Sequence, residues 1–224
     1  VTIIWIVGIT NAVNLIDGLD GLAVGVSSIA AITMLAVALL TDNMAIAITM
    51  AALTGACIGF MPYNLNPAKI FMGDTGSTFL GYMLATVSIM GLFKFYAVIS
   101  FAVPFLILGL PIFDTANAII RRLAEGRSPM SPDRGHVHHK LIDMGFNQKQ
   151  AVAILYAISA TLGLTAVVLT SSGEVKAVVL LAAVLAAILV GACIIYGAEH
   201  WGKHPQEQKK HKNEAAQEEK NKHE

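Results

Sequence analysis

Carboxylates, carboxamides and imidazoles gather at three points in this chain. The first holds Asn11, Asn14, Asp17 and Asp20, the second Asn64, Phe71, Gly73, Asp74, Gly76 and Ser77, and the third Asp133, Arg134, His136, His138 and His139. Asn11, Asn14, Asp17 and Asp20 recur every three residues, a spacing that keeps neighbours together on a helix. Gly18 and Gly21 can loosen the last turn. One such polar group reads as an interhelical contact. Four, two of them carboxylates, suit a ligand that offers a nucleobase edge and ribose hydroxyls.

The stretch Phe71-Met72-Gly73-Asp74-Thr75-Gly76-Ser77 runs directly into an apolar segment. Gly76 and Ser77 therefore fall at an expected helix start, where free N–H groups and the helix dipole favour phosphate. Asp74 is a short carboxylate suited to Mg2+, which takes one or two carboxylates and fills its shell with water and phosphate oxygens. Mn2+ is a natural substitute. Helix capping accounts for Asp74 and Ser77 equally well.

His136, His138 and His139 follow Arg134 in an expected loop. Imidazoles near neutral pH donate to phosphate or exchange protons, and a guanidinium forks onto phosphate oxygens. Zinc is the rival guest, but it wants three or four supporting ligands and no cysteine lies nearby. Asp114, at the end of an apolar run, reads as the cap of a helix continuing to Arg122. Arg121, Arg122 and Arg127 suit anchoring against anionic headgroups.

The elements that must position these groups are membrane helices. In 224 residues, 55% are hydrophobic and 13% charged, which leaves more apolar surface than one soluble core can hide. The apolar runs have the length needed to cross a bilayer with the backbone satisfied internally. The expected fold is all-α, a polytopic helical bundle of about seven spans: 1–15, 20–41, 44–62, 76–93, 95–113, 151–171 and 175–197. Residues 1–197 read as one transmembrane domain with polar loops at 63–75 and 114–150. Residues 198–224 read as a polar, disordered tail.

Lysine and arginine assign the sides, because cytoplasmic loops accumulate them. Counting crossings leaves only Lys94 and Lys176 opposite the other 13 of the 15 basic residues, and the three polar clusters lie with the 13. A multi-pass protein of the plasma membrane with its site on the cytoplasmic face is the expectation. The formal net charge of zero gives no field that would favour nucleic acid. Cys57 and Cys193 lie in apolar runs and read as small buried residues. A transporter would place polar groups deep within several spans and show repeats. Here the polar groups sit at span ends.

With these motifs in order, the chain resembles the polyprenyl-phosphate N-acetylhexosamine-1-phosphate transferases, the superfamily that includes WecA, TagO and MraY. Asn11 to Ala23 is similar to its nucleotide-side motif, and Asn64 with Pro67 to Ser77 to its metal and uridine motif. Asp133-Arg134-Gly135-His136-Val137-His138-His139 resembles the loop of the WecA and TagO group, whereas the MraY group typically carries three consecutive histidines after Pro-Ile. The resemblance implies Asp74 as the Mg2+ ligand, Asp20, Asn64 and Phe71 in a uracil pocket, and Asp17 as a carboxylate near the nucleotide. It implies UDP-N-acetylglucosamine as donor and undecaprenyl phosphate as acceptor, for teichoic acid or a similar envelope glycan. The alternative is phospho-N-acetylmuramoyl-pentapeptide transfer, and either reading allows a homodimer. The family also carries an aspartate pair on an earlier cytoplasmic loop. No adjacent aspartates occur here, so about four further spans are expected before Val1.

Overall fold

The computed structural model describes residues 1–92, 97–128, 131 and 135–171. These form helices only: α1 (Thr2–Leu15), α2 (Leu22–Leu40), α3 (Met44–Asn64), α4 (Gly73–Leu92), α5 (Ala97–Ile107), α6 (Gly109–Ala124), α7 (Val137–Asp143) and α8 (Gln148–Ser171). Of these, α2, α3 and α8 are long and apolar enough to cross a membrane. The helical membrane fold expected from the composition is the fold observed.

The most enclosed helix is α2, which packs against α3, α4 and α8. Its buried face carries Ala23, Gly25, Ser27, Ser28, Ala30 and Ala31. Small side chains let neighbouring backbones approach, which is how helices gain contact where lipid is as apolar as leucine. Ser28 returns its hydroxyl to the Val24 carbonyl at 2.7 Å, so its polarity needs no outside partner. On the other flank α1 lies against α4, with Trp5 Nε1 donating to Ser88 Oγ at 2.9 Å.

Two expectations about the elements change. Within the expected span 95–113 the described residues form two helices, α5 and α6, parted at Leu108, rather than one continuous helix. Pro111 lacks the N–H that would continue the ladder onto Ile107, and it falls in the first turn of α6, where a missing N–H costs no helical bond. The loop expected around the histidines contains α7, a two-turn helix with His136 as its N-cap residue. The expected span 175–197 and the tail lie outside the described residues. Cys57 is buried and unpaired.

Beneath the polar clusters lies an apolar plug of Ile16, Leu22, Ala23, Val26, Leu110, Val152 and Leu155, with Met72, Val137, Leu141 and Tyr156 packed against it. It joins the ends of α2, α6, α7 and α8. The site therefore rests on packed helix ends rather than on free loops.

Candidate active site

The first cluster is split by its own backbone. Helix α1 stops at Leu15, so the spacing of three does not continue as one helical face through Asp20. Asn11 is exposed on α1, and its amide donates to Val7 O at 2.7 Å in the same helix. Asn14 is half-buried in the last turn of α1, and Asp17 and Asp20 are half-buried in the turn leading to α2.

That turn is tied to the second cluster by side chains from three other segments. Gly21 N–H donates to Asn64 Oδ1 at 3.2 Å, and Asn64 Nδ2 donates to Ile70 O at 2.9 Å. The Gly21 carbonyl accepts from Tyr156 Oη of α8. Asp20 Oδ2 accepts from Asn66 Nδ2 and from Ala68 N–H, each at 3.0 Å, and Asn66 Nδ2 also reaches Gln148 Oε1 at 2.8 Å. Asn64 is 3% exposed, with both ends of its amide engaged. It clasps the turn, and Asp20 clasps the loop in the same way. A buried donor left without its acceptor costs about 1–3 kcal/mol, which is the scale on which each tie holds.

The loop so held presents Phe71, 75% exposed, and opens α4 at Gly73, whose φ of 66° suits glycine. Asp74 is exposed in the first turn of α4. Gly76 is half-buried against Met72. Ser77 is a full turn inside the helix, completely buried, with its hydroxyl 3.1 Å from Gly73 O. It therefore neither caps the helix nor contacts an anion, because α4 starts earlier than the sequence pattern suggested.

Asp17 and Asp74 come from different clusters, yet they feel each other. Burial first, and the Asp74 charge second, push the Asp17 carboxyl up to about 6. Paired carboxylates of this kind fit a hard divalent cation, whose charge would hold both ionised. No three His, Cys, Asp or Glu side chains gather as a metal cage among the described residues. Two carboxylates are the donor number that Mg2+ takes, and fewer protein ligands than zinc wants.

The third cluster meets the first directly. His138 is 2% exposed, and its Nε2, without a hydrogen-bond partner, faces Gly18 so closely that a Cβ there would lie 2.5 Å away. Burial drives its imidazole down to about 4, with His139 and His136 adding to the effect and Asp114 opposing it. His136 stacks parallel to His138 at 5.7 Å, and His139 lies tilted 4.3 Å from His138. Asp114 does not cap its own helix, because α6 begins five residues earlier at Gly109. It pairs instead with His136 Nδ1 at 2.9 Å and accepts from Val137 N–H at 2.8 Å. Arg134 and Asp133 lie outside the described residues.

Sequence reading missed Asn66, Gln148 and Tyr156, and gave Asp114 the wrong helix to cap. Asn66 stands two residues from Asn64 and directly before Pro67, which was the available signal. Gln148 and Tyr156 had none, since their partners are more than 80 residues away.

Residues 1–92 match the profile of glycosyl transferase family 4. The chain is 46% identical over 171 residues to a probable undecaprenyl-phosphate N-acetylglucosaminyl 1-phosphate transferase of Bacillus subtilis, covering 76% of this chain and 48% of that protein. It is 40% identical over 177 residues to the decaprenyl-phosphate N-acetylglucosaminephosphotransferase of Mycolicibacterium smegmatis, covering 69% and 43%. It is 37% identical over 168 residues to a phospho-N-acetylmuramoyl-pentapeptide-transferase of Staphylococcus haemolyticus, covering 72% and 49%. The chain thus spans about half the length of the curated relatives it matches.

Proposed function

The chain belongs, through residues 1–92, to glycosyl transferase family 4, and from that premise we propose that the full-length protein transfers N-acetylglucosamine 1-phosphate from UDP-N-acetylglucosamine to undecaprenyl phosphate. It is a bacterial integral membrane protein. The observation that carries the reading is the convergence of Asp17, Asp74 and the His136–His138 row, from three separate segments, on one end of the bundle. The names of the Bacillus and Mycolicibacterium relatives support the donor and the kind of acceptor.

In the reaction, an oxygen of the lipid phosphate attacks the sugar-linked phosphorus of the donor. The bond from that phosphorus to the bridging oxygen breaks, UMP leaves, and sugar-diphosphate-polyprenol remains. Asp17 and Asp74 would hold Mg2+, which when bound supplies positive charge to the diphosphate oxygens. The first N–H groups of α4 favour the same anion. Exposed Phe71 offers a face on which a uracil can stack. The acceptor phosphate is already largely ionised, so the site needs positioning and charge more than a general base. A site at the cytoplasmic membrane surface lets a water-soluble donor meet a lipid acceptor, and the basic residues of its loops support that side.

The Staphylococcus relative supports a second donor, UDP-N-acetylmuramoyl-pentapeptide. The third motif, with valine between His136 and His138, favours the first. A donor-competition assay on the full-length protein in vesicles with undecaprenyl phosphate tests this, with UMP release as the readout. UDP-N-acetylglucosamine is expected to support turnover that the pentapeptide donor does not inhibit. Turnover with the pentapeptide donor alone would reverse the assignment.

A further inference from the structure

Asp114 is 3% exposed in the interior of α6, and its carboxylate faces two groups of another element. Oδ1 accepts from Val137 N–H, the first amide of α7, and Oδ2 lies against His136 Nδ1. A carboxylate has only acceptor sites, so the imidazole nitrogen facing it must carry a proton. His136 then has one nitrogen, Nε2, at which a proton can come or go. The same carboxylate fixes where α7 begins, and hence the stacking of His136 on His138 and the seat of His138 beneath Gly18.

We propose that Asp114 is a positioning residue of the active site, locking His136 as the Nδ1–H form and anchoring α7 so that the histidine row meets the Asp17 turn. Its use in turnover rests on the transferase reading above, whereas the locked form of His136 does not. A carboxamide cannot do the same work. Asparagine has one acceptor oxygen, which Val137 N–H would take, and its NH2 would then point at Nδ1. Only a bare Nδ1 can accept that donor, so the proton moves to Nε2.

The test is 15N NMR of histidine-labelled full-length protein at alkaline pH, with His136→Gln used to assign the resonance, run beside steady-state kinetics. The unsubstituted protein is expected to show a protonated Nδ1 on His136 and Asp114→Asn a bare one. Turnover of Asp114→Asn should fall roughly 10- to 100-fold in kcat, with the donor KM kept within about threefold. A bare Nδ1 in the unsubstituted protein overturns the proposal, and that spectrum decides the matter even if the variant does not fold. A protonated Nδ1 or unchanged kcat in a folded Asp114→Asn overturns it as well. Absence of turnover in the unsubstituted protein would count against the transferase reading alone, with the NMR arm still deciding the role of Asp114.

Discussion

Replacing Asp74 with asparagine in the full-length protein is expected to cut formation of the lipid-linked sugar by roughly 1,000-fold or more while leaving membrane insertion intact. The side chain is exposed in the first turn of α4, so the isosteric amide breaks no buried packing. Losing a carboxylate near a helix N-terminus costs about 0.3–1 kcal/mol, too little to unfold the bundle. The chemistry loses far more, because one of two anionic ligands offered to a divalent cation becomes neutral. Transfer of labelled sugar into the lipid phase, beside size-exclusion of the detergent-solubilised variant, separates the two effects. Near-normal transfer by Asp74→Asn would remove Asp74 from the metal site.

The second large effect is expected at a residue with no functional group. Gly18→Val should lower turnover by about 100-fold and destabilise the protein by about 1–3 kcal/mol. A Cβ at Gly18 would lie 2.5 Å from His138 Nε2 and 3.0 Å from Cε1, and the buried, stacked ring cannot swing aside as a flexible chain end would. Either α7 shifts or the Asp17 turn does. Both carry groups whose placement the reaction depends on. Thermal unfolding and kcat measured together check this, and adding His138→Ala to Gly18→Val should restore the unfolding temperature without restoring turnover. Full activity in Gly18→Val would mean that the contact between the first and third clusters is incidental.

What was legible in the sequence follows from the range of the interaction responsible. Apolar runs of bilayer length mark helices locally, so α2, α3 and α8 stood out from composition. The three polar clusters were visible because ionisable groups at the ends of such runs survive there for function. The break between α5 and α6 was less visible, since both halves are apolar and only Pro111 marks the joint. The ties of Asp20, Asn64 and Asp114 were hidden altogether. Each side chain acts on backbone or side chains far along the chain, and no local pattern tells a carboxylate that meets substrate from one that holds a loop. The row of Asn11, Asn14, Asp17 and Asp20 was misjudged for the opposite reason: its spacing fitted a shared face, but α1 ended at Leu15 before that face could continue.

The central claim is that the three clusters make one cation and diphosphate site. The most direct measurement is the distance, by pulsed electron paramagnetic resonance, between Mn2+ bound to the full-length protein and a nitroxide at position 142 on α7. The site described here predicts bound Mn2+ within about two helix diameters of the label, roughly 20–24 Å, and loss of that signal in Asp74→Asn. A bound ion well beyond that distance, or Mn2+ retained unchanged by Asp74→Asn, would contradict it.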